Sequence, residues 1–373
     1  MMKIYDYQYF LRAILQCSRD EVETLTEKKS LLYESFEIPK KNGMREIHAL
    51  AESKKGKKLM QIQKNLHQRF LCRLPIAVPA HGFVKGKNYQ TFLEPHLGNE
   101  FFMRLDIEDF FPSFSMDLMR KILREHIEDE RALADVMELC TLDDKLPQGI
   151  CTSPVLSNIL FRRIDQRILK YCQTIEEGRR MQNRYPNESK IKICYTRYAD
   201  DLLFSSDQFD FKENLHFLRM IRRILKEDGF RINKQKTIMD REKIVLNGYV
   251  LDDKLHLSRK KLQNLRRILY FFRKKNAVDY AVDTALFLPD QSSDKQELLR
   301  KLLQELNYTN IQYHGEKKTF NSISSLIQYL CGYRSWLISI IQTGDERDKA
   351  DEKIPRYINR IELLLQELEK QEA

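Results

Sequence analysis

The chain has no uninterrupted apolar run of about 18 residues, so no hydrophobic helix long enough to cross a bilayer is expected. Its opening residues, Met1-Met2-Lys3-Ile4-Tyr5-Asp6, lack the apolar core of a secretory signal. The seven cysteines (17, 72, 140, 151, 172, 194, 331) include no Cys-x-x-Cys pair. That spacing argues against a zinc site or a disulfide framework and for a reducing, cytoplasmic setting. No internal repeat or low-complexity segment is evident. What remains is a soluble, globular composition: 373 residues, 42% hydrophobic and 32% charged, enough for two or three sub-domains around a core. Lysine and arginine number 64 against 54 acidic residues, and the resulting charge of +10 suggests a polyanionic partner.

Strand and helix patterns mix up to about residue 257, and the pattern after that is helical. Residues 5–31 read as an amphipathic helical cover. Residues 36–48 read as strand, turn, strand, with Asn42-Gly43 as the hairpin signal. It is either an ordinary surface hairpin or a basic one presenting Lys40, Lys41 and Arg45 to phosphates. Lys54 to Leu74 reads as a basic amphipathic helix, and His81 to Asn88 as a Gly- and Lys-bearing loop. Residues 101–107 form an apolar strand ending in Asp106, a carboxylate that needs a partner: a bound cation, or the helix starting near Ser115. Residues 116–141 read as helical. Leu146 to Pro154 is a tight loop feeding a helix from Val155 to Lys170, and 173–192 is polar and reads as an inserted connection. Phe211 to Asp228 reads as a helix and Ile244 to Leu251 as a pair of strands. Ser258 caps a basic helix that carries Arg266 and Arg267, either a solvated face or a nucleic-acid face. Residues 277–372 read as three or four further helices with loops near 288–294 and 308–319.

The organising stretch is Tyr195-Thr196-Arg197-Tyr198-Ala199-Asp200-Asp201-Leu202-Leu203-Phe204-Ser205. Side chains alternate faces along a strand, so adjacent aspartates belong at a hairpin turn, where both can lean toward one point. Such a pair is either a polar turn or a cation site, since a shared cation removes the like-charge penalty.

Asp106, the Pro147-Gln148-Gly149 loop, Asp200-Asp201, a lysine loop and a glycine-bearing strand turn occur in one order, and that ordered set resembles the palm of reverse transcriptases. Ile38 to Arg45 resembles the family's first motif, His81-Gly82-Phe83 the second and Asp106 to Phe111 the third. Leu146 to Gly149, with Thr152-Ser153-Pro154 and Ser157-Asn158, resembles the fourth. Tyr198-Ala199-Asp200-Asp201 resembles the fifth, Asn233 to Thr237 the sixth and Leu246 to Tyr249 the seventh. The resemblance spans roughly residues 33–340 and implies an α+β right-hand polymerase fold with fingers, palm and all-helical thumb. Its expected boundaries are 1–100 for the N-terminal cover and fingers, 101–257 for a palm with a helical fingers segment near 116–145, and 258–373 for the thumb and RNA-binding region.

By that resemblance Asp106, Asp200 and Asp201, with the Ile107 carbonyl, hold two Mg²⁺ ions (or Mn²⁺ in their place), as nucleotidyl transfer requires. Lys40 or Lys41 and Arg45 meet the nucleotide's phosphates. Phe111 is a steric gate against the ribose 2′-OH, or plain core. Gln148 contacts nucleotide or template. Lys236 protonates the leaving pyrophosphate, or is a surface lysine. Gly248 supports the primer end, and Arg266 and Arg267 lie along template and primer. Trp336 is core or base-stacking. The chain's size, with no recognisable endonuclease or RNase H extension, resembles retron reverse transcriptases. These copy part of a structured non-coding RNA into a branched RNA-linked DNA (msDNA) and act in phage defence with an effector protein. Two retron marks are only partly kept: His96 without the preceding Asn-Ala, and Gly248 without Val-Thr. Another bacterial defence-associated or abortive-infection reverse transcriptase, or an idle RNA-binding protein on the same fold, therefore stands as the alternative.

Overall fold

The computed structural model describes residues 3–40, 43–182, 191–279, 292–309, 311–313, 316–343 and 353–372. The expected turn residues Lys41 and Asn42 lie outside that set, as do 183–190 of the expected insertion and the loop up to residue 291. Mixed helix and antiparallel sheet make the protein α+β. It divides into two compact units: Met1–Ile244 with Leu251–Leu255, and Val245–Val250 with His256–Ala373.

In the first unit, strands β1 (Tyr33–Lys40) and β2 (Gly43–Leu50) form a hairpin, with Lys40 opposite Gly43. The central sheet contains β3 (Phe101–Asp106), β4 (Cys194–Tyr198), β5 (Asp201–Ser206) and β6 (Ile238–Arg241) in the order β4-β5-β3-β6. β3 is buried on both faces apart from the half-buried Arg104, as its mostly apolar sequence favours. Two helices back the sheet. Leu215–Glu227 sets Phe217 edge-on to Phe204 of β5, with ring centres 5.3 Å apart. Ser153–Gln182 buries Leu156, Ile159, Leu160, Ile164 and Ile168 in the same core.

Several boundaries move. The helix from Ser153 runs on to Gln182, so ten residues of the expected insertion are helical. The helical stretch at 116–141 is two helices, Met116–Leu123 capped by Ser115 and Glu130–Cys140 capped by Asp129. Each cap satisfies backbone N–H groups that the helix start leaves unpaired. Asp106 is thus not spent as a cap. The helix expected from Phe211 begins at Leu215. The N-terminal cover breaks at Gln16, which has left-handed φ of 57°.

Strands β7 (Ile244–Leu246), β8 (Tyr249–Leu251) and β9 (Leu255–Leu257) form a small sheet. The tail carries helices Arg259–Asp279, Ser292–Asn307, Ile323–Thr343 and Lys353–Glu372. It is not wholly helical: β10 (Gln312–Tyr313) pairs with β11 (Glu316–Lys317) inside the expected 308–319 loop. Trp336 is half-buried, with its ring against Tyr249 and Tyr333, which favours packing over base stacking. Among the described residues no helix is long and apolar enough to cross a membrane.

Candidate active site

Asp106 is the last residue of β3 and Asp201 the first of β5, and the antiparallel register sets them directly opposite one another. Directly opposed residues have closely spaced Cβ atoms. Tyr198 pairs with Asp201, so the hairpin turn is only Ala199-Asp200. A two-residue hairpin wants positive φ, and Ala199 supplies 54°. The Asp200 carbonyl accepts the Ile107 N–H at 3.0 Å, which ties the turn to the residue after Asp106. Ile107 is buried and bridges to Ile232. The fold therefore brings Asp106, Ile107, Asp200 and Asp201 together.

Their charges are compensated from within. Lys236 Nζ donates to both oxygens of Asp106, at 2.9 and 3.0 Å. Arg104 Nε donates to Asp201 Oδ1 at 2.9 Å, and its Nη2 donates to the same oxygen. Burial pushes the Asp201 carboxyl up to about 6, against the pull of Arg104. Burial, then the charge of Asp106, also raises Asp200, while Lys236 and Arg45 pull it down. Among the described residues no three His, Cys, Asp or Glu side chains converge as they would around a bound ion. Asp106 and Asp201 spend their oxygens on Lys236 and Arg104 instead. Hard carboxylate oxygens on this mostly buried turn, with Asp200 raised by burial and the charge of Asp106 and Asp201 by burial and the charge of Asp200, are nevertheless a donor set that suits a divalent cation.

The other expected residues divide into those brought near and those not. Arg45 lies exposed on β2, within electrostatic reach of Asp200. Lys40 ends β1, and Lys41 is outside the described residues. Phe111 is half-buried beside Phe110 and Phe83, with ring centres 5.4 and 6.2 Å away. Phe110 itself sinks against Phe114, Phe161 and Phe230, so Phe111 stands at the rim of a core cluster. The carbonyl of Gln148 accepts the His48 N–H at 2.8 Å. A Cβ on Gly149 would lie 2.4 Å from the His48 carbonyl, so the loop docks on β2 only with glycine there. Lys236 is no detached surface lysine, since it holds Asp106. Gly248, with φ of 90°, makes the β7–β8 turn, and its carbonyl accepts from Ser258. Arg266 donates to the Tyr357 hydroxyl at 2.7 Å, so the expected template contact already has a partner within the tail. Arg267 lies on the same helix, half-buried.

Sequence reasoning missed three supports. Arg104 sits two residues before Asp106 and so shares its face; a cation inside an apolar strand was the available signal. Arg197, fully buried, pairs with the fully buried Asp165 at 2.8 Å and donates to the Ala199 carbonyl at 3.1 Å, holding the turn. His96, fully buried, joins the two arms of the hairpin through Thr196 and Ser205, each at 2.7 Å. Thr196 donates to the Phe92 carbonyl, so His96 Nε2–H donates to Thr196 and Nδ1 accepts from Ser205.

Residues 38–251, more than half the chain, match the reverse transcriptase (RNA-dependent DNA polymerase) family. The chain is 29% identical over 259 residues to the retron Mx65 reverse transcriptase of Myxococcus xanthus, covering 64% of this chain and 55% of that enzyme. It is 26% identical over 277 residues to the retron Ec86 reverse transcriptase of Escherichia coli, covering 72% of this chain and 79% of that enzyme. Among solved structures it is similar to a Candida albicans telomerase in complex with a telomeric RNA fragment, with TM-score 0.41, 14% identity, and coverage of 91% of this chain and 63% of that one. Carboxylates on an antiparallel sheet backed by helices are the palm of a right-hand polymerase. The family match spans the central sheet and more than half of the chain: the chain belongs to the reverse transcriptase family and is similar to its retron-type members.

Proposed function

We propose that the chain is the reverse transcriptase of a retron: an RNA-directed DNA polymerase that copies part of a partner non-coding RNA into RNA-linked single-stranded DNA (msDNA). The observation that carries the reading is the register of Asp106 opposite Asp201, with Asp200 tied to Ile107. Residues 1–100 and the helices near 116–145 serve as fingers, 101–257 as palm and 258–373 as thumb.

Reverse transcriptases use divalent metal ions. Asp106, Asp200, Asp201 and the Ile107 carbonyl would hold them, Mg²⁺ by preference and Mn²⁺ as substitute. When bound, such a pair stabilises the attacking and leaving oxygens of nucleotidyl transfer. The chain's own residues do the rest. Arg45, with Lys40 or Lys41, neutralises the triphosphate. Phe111 closes the space a ribose 2′-OH would need and so favours deoxynucleotides. Gln148 meets the nucleotide or template from a loop fixed to β2. Lys236, exposed enough to leave Asp106, turns to the departing pyrophosphate and gives it a proton. Gly248 supports the primer end, and Arg267 and its helix follow the nucleic-acid backbone. The partners are the structured RNA, its DNA product, deoxynucleotides and an effector protein encoded nearby, and the setting is cytoplasmic phage defence.

The incomplete retron marks around His96 and Gly248 favour, as a second reading, another defence-associated reverse transcriptase. Nucleic acid that co-purifies with the protein separates the two. A branched species sensitive to both RNase and DNase is expected, and unbranched product alone would favour the second reading. Asp200→Asn with Asp201→Asn should abolish DNA synthesis on a primed RNA template while RNA binding persists. Full extension by that variant would overturn the polymerase assignment.

A further inference from the structure

The loop carrying Phe83 is fastened on every side. The His81 N–H donates to the Arg197 carbonyl at 2.8 Å, and Asn158 Nδ2 donates to the Gly82 carbonyl at 2.8 Å. Lys87 Nζ donates to the carbonyls of Val78 and Ala80, at 2.8 and 2.9 Å. A Cβ on Gly82 would lie 2.7 Å from the Ala199 nitrogen, so glycine lets this loop pack directly on the backbone of the Asp-Asp turn. At its tip Phe83 has φ of 60°. A bulky side chain rarely occupies that left-handed region, and such strain persists only where its surroundings enforce it. Phe83 is 48% exposed, so hydrophobic burial alone does not explain its position. What it touches is Phe111, with ring centres 6.2 Å apart and planes tilted by 49°. Phe111 is otherwise held by Phe110, whose ring belongs to the core cluster.

We propose that Phe83 is a specificity-determining positioning residue. Its ring props Phe111 from the solvent side and fixes the attitude of the gate relative to the catalytic turn, so that the site selects sugars lacking a 2′-OH. This rests on the reading of Phe111 as the gate. A tilted aromatic pair at this separation is attractive beyond its buried area, and losing it frees the Phe111 ring to swing away. Phe83 acts through Phe111 rather than on the nucleotide.

The test is the ratio of kcat/KM for deoxynucleotide over ribonucleotide on a primed RNA template, with the full chain. Phe83→Ala should lower the ratio about fivefold, the scale of one aromatic pair. Phe83→Tyr, which keeps the ring, should retain the ratio. Phe83→Asn removes the ring but suits the left-handed backbone, so it separates loss of the ring from loss of the loop; it should behave as Phe83→Ala does. Phe111→Ala should lower the ratio further, and adding Phe83→Ala to it should change nothing more. If Phe111→Ala lowers the ratio and neither Phe83→Ala nor Phe83→Asn does, the role of Phe83 is overturned and the gate stands. If the two effects multiply, Phe83 acts on the nucleotide directly and positioning is overturned. If Phe111→Ala leaves the ratio unchanged, the gate reading itself falls, and this inference with it.

Discussion

The central sheet carries two kinds of ion pair within a few residues of each other. Arg197 and Asp165 are closed off from solvent completely, at 0% side-chain exposure each. Arg197 Nε spans both Asp165 oxygens, Nη2 also reaches Asn158, Nη1 reaches the Ala199 carbonyl, and the guanidinium lies 4.5 Å from the Phe161 ring centre. Asp165 accepts the Tyr195 hydroxyl as well, at 2.7 Å. Every one of these partners is protein. The pairs at the site differ in degree: Lys236 is 53% exposed, while Arg104, reaching sideways from its strand to Asp201, keeps 17% of its side chain exposed. A buried network with all its donors met cannot exchange partners without a large penalty, whereas a pair open to water can. The first kind holds the backbone of the Asp-Asp turn; of the second, the exposed Lys236 can release Asp106, and Arg104 stands between the two kinds.

The largest effect that would sharpen this contrast is on stability. Asp165→Asn leaves the Arg197 charge buried without its counter-charge, which should cost about 3–5 kcal/mol, a large part of a domain's total. Urea unfolding reads this directly. Asp200→Asn with Asp201→Asn should cost far less, because it removes a like-charge repulsion that burial aggravates. Equal losses for the two variants would erase the distinction between holding pairs and available ones.

A smaller effect concerns His96, which staples the two arms of the hairpin. Burial lowers its pKa from 6.5 to about 3, so the folded protein keeps it neutral. The unfolded chain takes up the proton as pH falls below 6.5, and the folded state does not. The contribution of His96 is therefore complete above 6.5 and is lost as pH falls toward 3. At pH 5 the loss should be about 2 kcal/mol relative to pH 7. A His96→Gln variant, which can still hydrogen-bond both hydroxyls, should lose that much less over the same range. Parallel stability curves would show that the staple does not titrate as its burial requires.

The Asp-Asp hairpin was legible in the sequence because the ordered motifs around it, Asp106 and the Pro147-Gln148-Gly149 loop among them, single out a pair that alone is as readily a polar turn. The order of elements was legible because periodicity and caps such as Ser115 are local. Arg104, Arg197, Asp165 and His96 were not legible in the same way, because their meaning depends on partners 32 to 109 residues away. An arginine in an apolar strand signals only that some acid must meet it. The helix end near 182 was misplaced because a polar, charged segment can continue a helix at the surface, and the start near 215 because Asp210 closes a turn over 210–214 first, accepting the Lys212 N–H. Phe83 and Phe111 lie in loops, where aromatic spacing carries no period to read.

The finest break in the comparison would come from Arg104. It stands 3.8 Å from Asp106 while bonded to Asp201, so it offsets two of the three carboxylates at once. In the absence of divalent cations, Arg104→Gln should therefore destabilise the protein by about 1 kcal/mol, the scale of one partly buried charge-assisted bond. Mg²⁺ should then stabilise Arg104→Gln more than it stabilises the wild-type chain, because the ion no longer competes with a resident guanidinium. The readout is the melting temperature across a Mg²⁺ titration, which needs no activity. An identical shift in both proteins would mean that Arg104 stays with Asp201 when the ion arrives. Arg104 would then belong with Arg197 among the holding pairs, and only Lys236 would remain exchangeable.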